Sequence, residues 1–392
     1  MRIYRDLFRR PGVSQVLWSQ LLARFAFGMQ TITIIIHLQR TFDNYSVAGL
    51  AIGASTVGGA VAAPILGQLM AKIGIKPVIL TCTVLAPIFM LLIGFFPINE
   101  QFSILFALFL GLTTPPIQPA ARAVYPTLVE DNETQRNALY SIDAILQEII
   151  WIVGPVLATL MIAFSNTIVP IVTMAAIQLG GGLWFVLLRR VNAAPIPRSR
   201  RRLGSVLKSK LVIVMIAVNL LFVGSFSALE IGAVAAVGAK EAGFVIAMLS
   251  IGSVVGGLAF GHRVKSSAAL TKQLAIVLIG DLLIFINAKD PIWLGVCLFI
   301  SGIGVATAFA TIGAIIGKAV KLDDTTEVYG WIGSGQNIGY GLGAAIAGFV
   351  VDHFSSTHSF ALATGLDFIA MLVAAAAISI TPNFYKDKEA KE

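Results

Sequence analysis

Residues 211–237 read LVIVMIAVNLLFVGSFSALEIGAVAAV, and Glu230 is the one charged side chain among them. A helix of about 20 mostly apolar residues is long enough to cross the hydrocarbon core of a bilayer. A helix on the surface of a soluble domain would instead keep a polar face toward water. The stretch therefore predicts a transmembrane helix.

Runs of the same kind recur on both sides of this stretch. The predicted spans cover 14–39, 46–71, 77–97, 102–125, 138–164, 168–188, 211–237, 242–261, 270–288, 292–320, 328–351 and 360–380. Apolar residues make up 57% of the chain and charged residues 12%, whereas a soluble domain carries about a quarter charged residues. The first run lacks a small-residue cleavage site and is expected to remain as a helix. These observations predict an all-α, polytopic membrane protein with twelve transmembrane helices.

The net charge of +8 comes from basic residues that lie in short links between the apolar runs. This placement argues against a nucleic-acid partner and follows the positive-inside rule for cytoplasmic loops. With a cytoplasmic N-terminus, the inner links and tail hold Lys72, Lys76, Arg136, Arg263, Lys265, Lys272, Lys318, Lys321, Lys386, Lys388 and Lys391, and the outer links hold Arg40, Lys240 and Lys289. We therefore expect a multi-pass protein of the cell membrane (inner or plasma membrane) with both termini in the cytoplasm.

The longest polar link, 189–210, reads RRVNAAPIPRSRRRLGSVLKSK. It separates six predicted helices in 1–188 from six in 211–392. We expect an N-terminal six-helix bundle, a basic cytoplasmic linker over 189–210, and a C-terminal six-helix bundle with a short cytoplasmic tail. The clustered arginines favour contact with anionic lipid at the inner leaflet, and a regulatory site is the alternative.

A glycine-containing link between the second and third predicted spans carries the first local motif. It reads GQLMAKIGIK over 67–76, and its marked positions are Gly67, Lys72, Gly74 and Lys76. The six-plus-six layout and this motif resemble the major facilitator superfamily. The resemblance implies a gate at this link, although Ala71 stands where the family usually has an acid. The alternative is that the glycines only allow a sharp turn and close helix approach, while the lysines only follow the positive-inside rule.

The second motif lies in the fifth predicted span, which reads EIIWIVGPVLA over 148–158. Its Gly154–Pro155 pair resembles the core of the motif typical of exporters in the same family, with Ile150 and Ala158 in place of flanking glycines. Proline removes a backbone donor and bends a helix, and glycine lets a neighbouring helix pack closely. The pair is expected to be a flex point. The family resemblance also implies that substrate binds between the halves near the middle of the membrane.

Charged side chains inside the spans are expensive, at least ~2.5–3.5 kcal/mol each at the centre of a helix. Arg24 and Glu148 are expected at similar depth in spans that border the central cavity of this fold, and both segments look like those of bacterial efflux-type facilitators. We predict that the two form an ion pair that proton or substrate binding can break. A static bridge, or separate partners for each residue, is the alternative. Arg122 and Asp143 are expected to bridge each other at the inner gate in a mainly structural role.

Glu230 has no basic partner close by in the sequence, so we expect it to face the cavity as a second protonatable or substrate-contacting group. The predicted substrate-binding residues are Arg24, Gln30, Gln147, Asn219, Trp331, Gln336 and Asn337. For each neutral member of this set, the alternative is an ordinary hydrogen bond between helices. For Asp281 and Asp367, a pair or a snorkelling position is a better expectation than a substrate site.

Soluble-enzyme signatures are absent from the sequence: it has no Walker loop, dinucleotide fingerprint or metal-ligand spacing. We expect no enzymatic activity, no cofactor and no metal. The sequence predicts a secondary active transporter that couples export of a small solute to protons by alternating access and functions as a monomer. Its partners would be the solute, protons and the lipid bilayer. The alternatives are an uptake facilitator, uncoupled or proton-coupled, and a lipid-moving or sensory protein on the same scaffold.

Overall fold

A computed structural model describes residues 7–129, 133–193, 205–260, 268–320 and 325–381. Several positions that the charge analysis used lie outside these ranges: 194–204 of the predicted linker, Arg263, Lys265, Lys321 and the tail lysines. The side chains of Arg136 and Lys318 are also outside the described set.

Within the described residues the chain is helical and contains no strand. The helices are α1 Val13–Phe42, α2 Tyr45–Ile73, α3 Ile75–Phe95, α4 Glu100–Leu112, α5 Ile117–Val129, α6 Glu133–Phe164, α7 Ile168–Leu187, α8 Arg189–Ala193, α9 Lys210–Phe260, α10 Ala269–Ile284, α11 Pro291–Ala319, α12 Thr325–His353 and α13 Ser356–Ala376. Two 3₁₀ turns, Ser205–Lys208 and Ile378–Ile380, complete the described elements. The all-α prediction is confirmed.

Nine helices in the described part of the chain are long and apolar enough to cross a membrane, when α4 and α5 are taken as one span. Helix α9 contains both the seventh and the eighth predicted spans, which meet at Gly238, where φ is 79°. Helix α10, with only 16 residues, and α12 are not among these nine, yet both coincide with predicted spans. The predicted twelve-span layout is thus accounted for.

Proline interrupts the fourth predicted span, as the sequence indicates. Helix α4 ends at Leu112 and α5 begins at Ile117, with Pro115 and Pro116 between them. Proline lacks a backbone donor and disfavours a helical conformation in the preceding residue. The break makes α5 a separate helix, and α5 carries Arg122 and Tyr125 into the site described below.

The described helices fall into two compact units, Met1–His37 with Ala54–Arg200 and Leu38–Gly53 with Arg201–Glu392. The first has an apolar core around Tyr125 and Phe185, and the second has one around Phe222. Within the second unit, the Asp352 carboxylate accepts a hydrogen bond of 2.8 Å from the backbone N–H of Tyr45. That contact satisfies a free donor at the first turn of α2.

Candidate functional site

Asp143 on α6 is the centre of a buried polar network in the first unit. Its side chain is fully buried, and it pairs with two guanidinium groups. Arg24 Nη1 on α1 lies 2.7 Å from Oδ1, and Arg122 Nη2 on α5 lies 3.0 Å from Oδ2. Charge-assisted hydrogen bonds of this length offset the loss of hydration of a buried anion. The predicted Arg122–Asp143 bridge is confirmed.

Neutral donors complete the shell around the same carboxylate. Gln20 Nε2 donates to Oδ1 at 3.2 Å, and the Tyr125 hydroxyl donates to it at 3.3 Å. Gln118 Nε2 reaches Oδ2 at 3.4 Å. Gln20 also donates to the Tyr125 hydroxyl at 2.8 Å. Asp143 on α6 is therefore held by groups from α1 and α5, so this one carboxylate links three helices.

Arg24 is 3% exposed and divides its donors among three acceptors. Besides Asp143, Nη1 donates to Gln20 Oε1 at 2.9 Å, and Nη2 donates to Gln147 Oε1. Gln147 was predicted to bind substrate, and in the structure its carbonyl oxygen is occupied by Arg24. The guanidinium thus fixes the orientation of a candidate binding amide.

The predicted ion pair between Arg24 and Glu148 is wrong. Asp143 and Gln147 are four residues apart and share the face of α6 that contacts α1, whereas Glu148 is rotated about 100° from Gln147. Glu148 is half-buried, and it forms no ion pair within the described residues. The sequence placed the two groups at similar depth, but hydropathy does not determine the rotation of a helix about its axis.

Gly154 lets α6 touch α1 beside this network. A Cβ atom added at Gly154 would lie 2.5 Å from the carbonyl carbon of Gly28 and 2.7 Å from its Cα. A Cβ added at Gly28 would lie 2.2 Å from the carbonyl oxygen of Ile150. The two backbones are in direct contact, so Gly154 has the close-packing role predicted for it. Pro155 follows inside the continuous helix α6.

The glycines of the link over 67–76 serve different purposes. Gly74 has φ of 93° and ψ of 165° and precedes α3, so the predicted sharp turn is confirmed. Gly67 lies inside α2 with nothing within 4 Å of an added Cβ, so close helix approach at that glycine is not found. Lys72 and Lys76 are exposed on either side of the turn.

Glu230 on α9 is paired with a neutral partner in the second unit. The Tyr340 hydroxyl on α12 donates a hydrogen bond to Glu230 Oε2. Helices α9 and α12 are in backbone contact here, since a Cβ added at Gly343 would lie 2.1 Å from the carbonyl oxygen of Gly224. As expected, Glu230 forms no ion pair with a basic residue within the described part of the chain.

Two predicted substrate-binding amides meet about three turns from Glu230 along the same helix pair. Gln336 Nε2 on α12 donates to Asn219 Oδ1 on α9 at 2.9 Å. The Asn219 amide in turn donates to the carbonyl oxygen of Met215 at 2.8 Å. Asn219 is fully buried and Gln336 half-buried. The pair is a hydrogen bond between helices, which the sequence left open as the alternative.

The remaining predicted binding residues are dispersed. Trp331 packs against the apolar core of the second unit, and Asn337 is exposed. Gln30 lines a small cavity in the first unit with Ile34 and Met90. Its Oε1 atom is buried and has no hydrogen-bond partner in the described part of the chain. Of these three, Gln30 is the side chain with free capacity to bind a polar group.

Sequence reasoning missed Gln20, Tyr125 and Tyr340. Two of them lie one helical turn from a residue that was singled out: Gln20 precedes Arg24 by four residues, and Tyr340 follows Gln336 by four residues. Residues four apart share a helix face, so a search at that spacing around each residue that was singled out, charged or neutral, would have found two of them. Tyr125 comes from α5, and its part depends on a tertiary contact that spacing does not reveal.

Comparison with known proteins agrees with the helical architecture. The crystal structure of nucleoside transporter NupG matches with a TM-score of 0.75 at 13% identity, covering 92% of this chain and 98% of that one. An alanine variant of that transporter matches with a TM-score of 0.74 at 12% identity and the same coverage. At such identity the likeness shows the fold alone. No curated protein matches the sequence. A family model described as Major Facilitator Superfamily matches residues 16–280 and 269–392, and the chain therefore belongs to this superfamily of membrane transporters.

Proposed function

We propose that this transporter exports a small polar solute in exchange for protons by alternating access. In this proposal it works as a monomer in the cell membrane with both termini cytoplasmic. The observation that carries the proposal is Glu230, a carboxylate whose described hydrogen-bond partner is the neutral hydroxyl of Tyr340. An acid in a transmembrane helix without a basic partner is a default candidate for a proton or substrate pathway.

The contrast with Asp143 supports a coupling role for Glu230 and Glu148. Asp143 accepts from two guanidinium groups, so protonating it would leave two cations without their counterion. Glu230 and Glu148 lack such cations among the described residues, and each can gain or lose a proton without breaking an ion pair. Arg24 contributes indirectly, because it holds the Gln147 amide in place.

Hydrogen-bonding groups along α9 and α12 suggest the class of solute. Gln336 carries an amide, Glu230 a carboxylate, and Tyr340 an aromatic ring with a hydroxyl, and all three side chains are half-buried. Such groups suit a small solute with several hydroxyl or amide groups, such as a sugar-like compound. Nucleosides are a second candidate, favoured by the shared fold with a nucleoside transporter.

Transport by right-side-out membrane vesicles tests the proposal. Vesicles preloaded with labelled nucleosides, sugars or amphipathic solutes are diluted into medium of equal or more acidic pH. We expect an acidic exterior to accelerate efflux of one solute class, and Glu230→Gln to remove that acceleration while passive equilibration continues. Asp290→Asn, at the N-terminus of α11, is the control and should behave as wild type.

Other outcomes identify the alternatives. Accumulation of solute driven by an acidic exterior would indicate proton-coupled uptake, and equilibration that ignores the pH gradient would indicate a facilitator. Movement of labelled lipid between leaflets, without transport of any soluble compound, would indicate a lipid-moving protein. Each of these results would replace the proposed exporter.

A further inference from the structure

Two carboxylates meet in the core of the second unit, on helices that the proposed transport site does not use. Asp281 belongs to α10 and Asp367 to α13, and both are 0% exposed. Helices α10 and α13 pack side by side, and the two carboxyl groups are neighbours that interact electrostatically. Two acids thus approach each other where neither contacts solvent.

Their oxygen atoms are left without donors. All four carboxylate oxygens are buried and have no hydrogen-bond partner in the described part of the chain, and the same holds for Ser301 Oγ. Ser301 on α11 is 0% exposed and packs on α10, since a Cβ added at Gly280 would lie 2.4 Å from its backbone nitrogen. Ser301 is a neighbour of Asp281, so its unpaired hydroxyl is a fifth oxygen atom beside the two carboxyl groups.

The surroundings supply no compensating positive charge. No lysine, arginine or histidine in the described residues acts on either carboxylate, and the other ionisable group beside the pair is the Cys297 thiol on α11. Lys272 on α10 and His358 on α13 are each nine residues away along their own helix, roughly 14 Å at 1.5 Å per residue. The other neighbouring hydroxyl, that of Ser225, already donates to the carbonyl oxygen of Phe222 at 2.7 Å.

We propose that Asp281 and Asp367 together bind one monovalent cation, H⁺ or Na⁺. Two adjacent anions in a low-dielectric interior are too costly to persist without a counter-charge. A proton would join the two carboxyl groups by a hydrogen bond, and Na⁺ would be bound by oxygen atoms, the ligands that hard cations prefer. Ca²⁺ takes six to eight oxygens, more than the five orphaned atoms here.

Infrared spectroscopy of the whole protein in nanodiscs tests whether the bound cation is a proton. Aspartate is labelled with ¹³C at the side-chain carboxyl, so that the C=O stretch of a protonated aspartic acid is recognised by its isotope shift. If the pair holds a proton, wild-type protein at neutral pH shows this band. Asp281→Asn and Asp367→Asn each shift or remove the band, because the hydrogen bond between two carboxyl groups is lost, and Asp290→Asn leaves it unchanged.

Thermal unfolding tests whether the bound cation is Na⁺. A cation that binds only the folded protein raises the unfolding midpoint as its concentration increases. If the pair holds Na⁺, replacing KCl by NaCl at constant ionic strength raises the midpoint of wild type and of Asp290→Asn. The same exchange leaves the midpoints of Asp281→Asn and Asp367→Asn unchanged.

The proposal is overturned if wild-type protein shows neither the protonated-aspartate band nor a sodium-specific rise in the unfolding midpoint. Both wild-type measurements can be made even if an asparagine variant fails to fold. A band at the wild-type frequency and intensity in both asparagine variants, or a sodium-specific rise of wild-type size in both, would overturn it as well. The infrared and unfolding measurements do not depend on Glu230, which lies with Tyr340 on α9 and α12. A loss of transport in Glu230→Gln therefore tests the proposed function and leaves the cation site to be decided by these two measurements.

Discussion

Arg24 on α1 and Asp143 on α6 form an ion pair of 2.7 Å that is almost completely shielded from solvent, with side chains 3% and 0% exposed. The second cation on the same carboxylate, Arg122, is 49% exposed. The network therefore has a buried half and a half that is open to solvent. This asymmetry determines how costly the loss of each charge should be.

Asp143→Asn should destabilise the protein strongly. The substitution removes the anion but leaves Arg24 buried, and breaking one partner of a buried pair costs about 3–5 kcal/mol. We expect a lower midpoint of thermal unfolding in detergent and a lower yield of monodisperse protein.

Arg122→Gln is the matched control for the same carboxylate. Because Arg122 is 49% exposed, we expect its pair with Asp143 to contribute about 0–1 kcal/mol, and Asp143 keeps Arg24 in this variant. The unfolding midpoint should therefore stay close to that of wild type. Equal destabilisation by the two substitutions would show that the solvent-exposed half of the network matters as much as the buried half.

Gly154→Ala should separate α6 from α1. The new methyl group would lie 2.5 Å from the backbone of Gly28, and overpacking of this kind costs about 1–3 kcal/mol. Gly180→Ala in α7 is the control, because nothing lies within 4 Å of its added Cβ. Unfolding midpoints compare the two variants, and a Gly154→Ala protein as stable as Gly180→Ala would contradict the close contact.

Much of the fold can be predicted from local properties of the sequence. Apolar runs determine which segments span the membrane, and the break between α4 and α5 follows from Pro115 and Pro116. The turn at Gly74 follows from glycine's freedom at positive φ. By contrast, the contact of Asp352 with the first turn of α2 joins residues far apart in the chain, and no local pattern indicates it.

The candidate sites were predicted less completely, because helix rotation decides which side chains meet. Span boundaries place Arg24 and Glu148 at a common depth, yet a shift of five residues, from Glu148 to Asp143, separates the expected partner from the observed one. Glu230, expected to lack a basic partner, forms no ion pair within the described residues. Its hydroxyl donor, Tyr340, lies on another helix, and only the packing of α9 against α12 brings the two together.

Gly74→Ala should weaken the protein through its backbone alone. Gly74 has φ of 93° and ψ of 165°, a region essentially restricted to glycine, and forcing another residue into it costs about 1–3 kcal/mol. Nothing lies within 4 Å of an added Cβ, so a clash cannot explain the loss. Gly67→Ala, in the interior of α2, should be tolerated or slightly stabilising. Unfolding midpoints of both variants, measured side by side, check this prediction, and equal midpoints would contradict it.

Glu148→Gln should uncouple transport from the proton gradient without unfolding the protein. Glu148 makes no ion pair or hydrogen bond within the described residues, so glutamine of nearly the same shape removes the ionisable proton and little else. We expect efflux from vesicles to lose its acceleration by an acidic exterior while the unfolding midpoint stays within experimental scatter of wild type. Glu100→Gln, at the exposed first turn of α4, is the control for removing a carboxylate elsewhere. Gradient-driven transport at the wild-type rate in Glu148→Gln would exclude Glu148 from coupling and leave Glu230 as the remaining candidate of the two.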